Sequence, residues 1–253
     1  MGLMIRDKWK SFVKNKKNVV ILLLSLLVAI KIPQGGFRLI LWILGGVSTC
    51  CLVDILLNRV IRKKKISLQS AIISGFIVSG ILDYSLDWYL LVVFSAIAIA
   101  SKFLIRIDNK HVFNPANFAL LIAALFRQPL TWNIESNTYL IIIAGIYLAV
   151  TLKKWPHVLG FLLVFSSTFY FSGVNPLNMI SYFFLFIMLI EPKTSGFGKG
   201  RGFAFGSIAG LMSFVMFKCM AQIDIFVSSL IVANIFNALW IKKGQKNVLK
   251  SCH

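Results

Sequence analysis

Three short stretches place polar groups where the surrounding residues are hydrocarbon: "HVFNPANFALLIAALF" at 111–126, "MLIEPKTSGFGKGRGFAFGSIAG" at 188–210 and "LIVANIFNALW" at 230–240. In the first, Asn114 stands directly before Pro115. Proline suits the opening turn of a helix, because its missing N–H would have no partner there. An asparagine before it caps one of the remaining free N–H groups. The spacing predicts a helix that starts at Pro115 and turns its positive dipole end toward whatever lies in front. Asn117, one turn in, adds an amide to the same site. An ordinary capped helix start at an interface would use the same residues.

In the second stretch Glu191 closes an apolar run and Pro192 ends the helix. An ionisable group at that depth marks a functional site or a snorkelling carboxylate paired with Lys193 or Lys199. In the third, Asn234 and Asn237 are three apart and share a helix face, so they need another helix or a polar ligand as partner. Asp54, Gln69, His157 and Asn178 are further polar residues inside apolar segments.

Several chemistries are excluded. The glycines at 196, 198, 200 and 202 follow no strand and lack the phosphate-loop pattern, so no nucleotide site is expected. Gly202, Gly206 and Gly210 are four apart, which lets a second helix approach closely. The four cysteines, Cys50, Cys51, Cys219 and Cys252, show no C-x-x-C spacing. No protein-only metal site and no disulfide framework is expected. No Ser-His-Asp set or facing carboxylate pair is present, so no hydrolytic site is visible.

The elements that must position these residues follow from composition. The 253 residues are 58% hydrophobic with mean hydropathy +0.83, against roughly 45–50% apolar in soluble domains. Ten apolar segments lie at about 18–33, 37–58, 66–86, 88–106, 112–127, 137–152, 156–173, 176–191, 202–219 and 223–241. They predict an all-α polytopic membrane protein with about ten transmembrane helices, some short enough to be broken or re-entrant. The net charge of +19 sits in clusters between these segments, the pattern of cytoplasmic loops and not of a nucleic-acid groove. Alternate threading puts 23 of the 27 Lys and Arg on one side, leaving Lys31, Arg38, Arg127 and Lys218 on the other with Asp83, Asp87, Glu135 and Asp224. By the positive-inside rule the chain is a multi-pass inner-membrane protein with both termini cytoplasmic. The first segment has no small-residue cleavage site after it and reads as a retained span.

Five segments precede residue 132 and five follow. An odd number flips the second copy, so the single membrane domain divides into inverted five-helix repeats at about 18–131 and 132–241, with basic tails. "RIDNKHVFNPANFALLIAAL" and "CMAQIDIFVSSLIVANIFNALW" close the two halves with a weak echo of each other. Such folds place ligand sites near the midplane, at interrupted helices from both halves. Asn114, Asn117, Glu191 and Thr194 are therefore expected to converge on one polar pocket.

The order of "SLQSAIISGFIVSGIL", "NKHVFNPANFALL", "FFLFIMLIEPKTSG" and "FVSSLIVANIFNAL" resembles the RnfD/NqrB family, the membrane subunits of Rnf-type electron-transport complexes and their relatives. The family patterns fall on Phe113 to Ala116, Glu191 to Ser195 and Leu230 to Ala238, and the likeness covers roughly residues 35 to 241. The resemblance implies ten spans in two inverted repeats and a role in membrane electron transfer, coupled to Na⁺ or H⁺ movement. It implies a flavin (FMN or riboflavin) and partners that include other membrane redox subunits and an FMN-binding or iron–sulfur protein. Asn114, Pro115, Asn117, Glu191, Thr194 and Asn234 are the implied cofactor-binding residues. The family's covalent attachment motif would follow the fifth span, where this chain reads "RQPLTWNIESNTYL". Thr131 and Thr138 lack its flanking residues, so flavin is expected to bind non-covalently. From the residues alone, a small polar-solute transporter or channel fits equally, as does a structural assembly subunit.

Overall fold

The computed structural model describes residues 15–62, 68–107, 110–191, 194–195, 199–220 and 223–251. Pro192 and its helix stop, Lys193, Gly196, Gly198, Cys252 and the side chain of Lys199 lie outside the described positions. The chain is all-α. Extended pairing among the described residues is confined to a two-residue antiparallel ladder, Arg106–Ile107 with Lys110–His111, and one bridge between Leu82 and Leu130.

Helix α1 runs Lys16–Leu57 and continues as a π turn, Asn58–Arg62. Asn15 opens it by accepting from the Lys17 N–H at 3.2 Å. It cannot be straight. Forty-two residues at about 1.5 Å rise would stretch roughly 63 Å, yet Gln69 donates to Asn18 near the start of α1. Gln69 is also only seven residues past Arg62, a tether of at most about 25 Å. The two ends of α1 must therefore lie close together. The fold-back sits where Pro33 removes an N–H and Gly36 takes φ 61°, ψ −162°, a backbone that only glycine adopts without strain. The sequence-predicted break between 33 and 37 is thus a tight helical hairpin.

Helices α2 (Gln69–Ile81), α3 (Trp88–Leu104) and α4 (Pro115–Leu125) follow, then α5 (Thr138–Thr151), α6 (Trp155–Phe171), α7 (Lys199–Cys219) and α8 (Ile225–Ser251). The runs Lys16–Ile61 and Gly200–Cys219 are long and apolar enough to cross a membrane, with mean hydropathies of 2.2 and 1.5. Six further apolar helices have 10–17 residues.

One segment departs from expectation. The apolar run 176–191 is not a single helix. A 3-10 turn covers Pro176–Asn178, helix resumes at Tyr182, and Phe184–Met188 form a π turn. Asn178, placed inside a span by its sequence context, is exposed in that turn. The physical reason is Glu135, whose carboxylate accepts from Ser181 Oγ at 2.8 Å and from the N–H groups of Tyr182 and Phe183. An anion at the free N–H end fixes the helix start there. The same linker, residues 129–136, covers the end of α2: the N–H groups of Thr131 and Ile134 donate to the Ile81 and Gly80 carbonyls.

Close helix contact is built on glycine. A Cβ on Gly206 would lie 2.0 Å from the His157 carbonyl oxygen, and one on Gly160 2.2 Å from that of Phe203. Helices α6 and α7 therefore touch backbone to backbone, as the four-residue glycine spacing predicts. The rings of Phe161, Phe165, Phe184 and Phe226 fill the space beside them and tie α6, the π turn and α8 together. The chain thereby gains two ends. The proximal end, where α1 starts, holds the contacts Asn18–Gln69, Asp54–Lys102, His111–Glu191 and Lys154–Ser195. The distal end holds Arg38–Tyr84, Asp83–Pro129 and Trp132–Asp224.

Candidate functional site

At the proximal end a cavity of about 160 Å³ lies between aliphatic side chains of α1, α2 and α5, with Phe186 from the π turn. Its polar lining is Lys16 and Lys17 from α1, Ser70 and Ser74 from α2, Asn114 and Glu191. Apolar walls with a few convergent polar groups are the ordinary build of a small-ligand site.

Asn114 reaches this place for the reason the sequence suggests. Its side-chain oxygen accepts from the Asn117 N–H at 3.2 Å, and Pro115 occupies the first turn of α4, buried. The two-residue ladder before it holds the chain in extended form, so α4 starts deep: Asn114 is 4% exposed and Asn117 0%. Glu191 arrives from the other half at the end of the π turn. Its Oε2 accepts from Thr194 Oγ1 at 3.2 Å, and its Oε1 lies 3.8 Å from His111 Nε2.

Asn114 and Glu191 thus line one cavity, whereas Thr194 reaches Glu191 without lining it. Asn117 is not. Its amide nitrogen donates to the Val227 carbonyl of α8 at 2.9 Å, so it joins the two halves and does not line the cavity. Its Oδ1 is buried without a partner. Asn234 is fully buried on α8, outside the cavity lining, and neither of its amide atoms has a hydrogen bond. Asn237, its neighbour on the same face, donates to the Thr194 carbonyl at 2.6 Å.

Behind Glu191 stands a buried polar group that the sequence reading left unassigned. Lys154, 1% exposed, donates to Ser195 Oγ at 3.0 Å, and His157 Nε2 donates to the Ser195 carbonyl at 2.6 Å. Ser195 Oγ in turn donates to the Glu191 carbonyl. Lys154 read as a loop charge and His157 as interfacial. The usable signal was "KWPH", where a proline opens α6 as Pro115 opens α4, turning the residues beside it inward. Burial pushes the Lys154 ammonium down to about 8, with the Glu191 carboxylate acting in the opposite direction.

That shift has a stability consequence. The unfolded chain holds the Lys154 proton up to about 10.5 and the folded chain only to about 8, so stability rises with pH between these values. The wild type should gain thermal stability over this window relative to Lys154→Met. Parallel melting curves at pH 7.5, 9 and 10.5 check it, and parallel behaviour of the two proteins would refute it.

The cavity's chemistry suits the edge of a flavin ring, since asparagine and serine supply both donors and acceptors and two lysines stand at hand for negative charge. Its size admits only part of one: an apolar cavity near 150 Å³ holds a single benzene-sized ring. Thr131, on the linker before α5, and Thr138, the first residue of α5, are exposed and do not line this cavity. No grouping of three or more His, Cys, Asp or Glu that could hold a metal occurs among the described residues.

No family model matches the chain, and no curated protein matches it.

Proposed function

We propose that the protein is a polytopic inner-membrane electron-transfer subunit of the RnfD/NqrB kind, built of ten spans in two inverted five-helix repeats and holding a flavin non-covalently. The observation that carries this reading is that Asn114 and Glu191, from the two motifs of opposite halves, line one cavity.

The threading has independent support. The contacts named for the two ends all join loops that alternate spans would put on the same side. Phe37, Leu104, Tyr139, Ile143, Phe171 and Leu211 are exposed hydrocarbon spread along several helices, as a lipid-facing surface requires. Among the described residues Lys16, Lys17, Lys102 and Lys154 fall at the proximal end, which is then cytoplasmic. The repeat has support too. Asn114 caps α4, and Asp224 caps α8 by accepting from the Phe226 and Val227 N–H groups at 3.0 and 2.9 Å. Aligning the two caps pairs Asn117 with Val227, and these two residues touch. A twofold axis between the repeats would bring equivalent residues together in this way.

A bound flavin would supply the electron-carrying chemistry. The chain's own residues position it. Asn114, Ser70 and Ser74 offer hydrogen-bonding groups to the ring edge, Lys16 and Lys17 offset negative charge, and the aliphatic side chains pack on the ring face. Electrons would come from and go to partner redox subunits, an FMN-binding or iron–sulfur protein among them.

The purified protein should release riboflavin or FMN on acid denaturation, with no fluorescence left on the denatured chain, and Asn114→Leu should lose most of it. A preparation with no isoalloxazine by absorbance or mass spectrometry rejects the cofactor. The single-ring size of the cavity favours a second reading, a carrier for a small polar solute. Solute flux into liposomes, with no flavin present, would select it.

A further inference from the structure

His111 Nε2 is buried without a hydrogen bond and faces a carboxylate it does not quite reach. The His111 side chain is 5% exposed, and Glu191 Oε1 lies 3.8 Å away, too far for a hydrogen bond. The ladder with Arg106 and the Val112 N–H donated to the Ile105 carbonyl fix the His111 backbone. Thr194 holds Oε2 of Glu191, so Oε1 is the oxygen left for His111 or for the cavity that Glu191 lines. A small rotation of either side chain decides which.

We propose that His111 and Glu191 together hold one exchangeable proton between Nε2 and Oε1 and pass it to a proton-accepting atom of the molecule that occupies the cavity. The bond from the proton to Nε2 or Oε1 breaks, one to a lone pair of the acceptor forms, and solvent at the proximal end refills the pair. No electrons move in this step. The charged groups facing the pair are otherwise cationic: Lys16 and Lys17 from α1, Lys154 with His157 behind it from the start of α6, and Arg106 across the ladder. Lys102 of α3 is tied to Asp54. Among the described residues Glu191 is thus the one carboxylate available to a charged His111.

This inference rests on the proposed flavin only for the identity of the proton acceptor, and its first test needs no flavin. The full chain, labelled with ¹⁵N-histidine and purified in nanodiscs, contains three histidines; His111→Gln identifies the His111 signal. At one fixed pH, Glu191→Gln should move the His111 ring ¹⁵N resonances, which report where the ring protons sit, away from their wild-type chemical shift, because the carboxylate facing Nε2 is gone. Glu191→Asp, which keeps the charge, should bring them part of the way back and guards against a folding artefact. Unchanged His111 resonances in Glu191→Gln overturn the proposal.

In the second test riboflavin is added and photoreduced, and an indicator dye follows proton uptake. Fast uptake should be lost in Glu191→Gln and in His111→Gln; uptake at the wild-type rate in both overturns the delivery step. Failure to bind riboflavin counts against the flavin reading, and the histidine resonances then still decide whether the pair holds the proton.

Discussion

Replacing Lys102 by methionine should cost about 3–5 kcal/mol of folding stability, the loss typical when one partner of a buried ion pair is removed. Lys102, in the last turn of α3, donates through Nζ to Asp54 Oδ1 on α1, with side-chain exposures of 10% and 1%. Asn58 Nδ2 also reaches the Asp54 carboxylate, at 3.1 Å. Deleting the ammonium leaves a carboxylate facing one neutral amide among helices of aliphatic side chains. An unpaired charge in such surroundings is far costlier than an unmade neutral hydrogen bond. The double change Lys102→Met with Asp54→Leu should recover most of the loss, because replacing both members by apolar groups of similar volume is often neutral. Unfolding of the purified protein by graded denaturant, followed by helical circular dichroism, gives all three values. A single variant within about 1 kcal/mol of the wild type would mean that Asp54 has water or another partner.

How much was legible beforehand differs by kind of signal. The Asn114–Pro115 helix start and the break between residues 33 and 37 were readable because each is local chemistry: a cap, a missing N–H, a glycine. The Gly202, Gly206, Gly210 stripe was readable because its spacing repeats the helical period. Where the run 176–191 breaks was not legible, because the helix start at Tyr182 depends on Glu135, more than 40 residues upstream, and no periodicity reports such a distant cap. The same limit hid the cluster behind Glu191. Lys154 and His157 look like the rim of a basic loop until Ser195 is brought against them, and that contact is tertiary. Asn117 shows the limit from the other side. Its type and spacing suited the pocket, but its amide was already engaged by Val227.

Gly206→Ala should be more damaging than any change in the cavity, although it adds one methyl group. The added carbon would sit 2.0 Å from the His157 carbonyl oxygen and 2.8 Å from the Phe161 nitrogen. Both are backbone atoms, so no side chain can rotate away. Helices α6 and α7 must separate over their shared length, and Gly160, packed on the Phe203 carbonyl, would lose its contact too. Overpacking a core with an extra methylene costs about 1–3 kcal/mol where side chains can adjust, and here they cannot, so a loss at or above the top of that range is expected. Gly200→Ala is the control. Nothing lies within 4 Å of its added Cβ, and alanine is the better helix former by up to about 1 kcal/mol, so that change should be neutral or stabilising. The injury at Gly206 should also reach the site. His157 donates to the Ser195 carbonyl, and Ser195 lies one residue beyond Thr194, which holds Glu191. Displacing α6 should therefore move the His111 resonances as well as the unfolding curve. If Gly206→Ala unfolds no more readily than Gly200→Ala, α6 and α7 do not touch through their backbones, and the proximal cluster is not held in the way described.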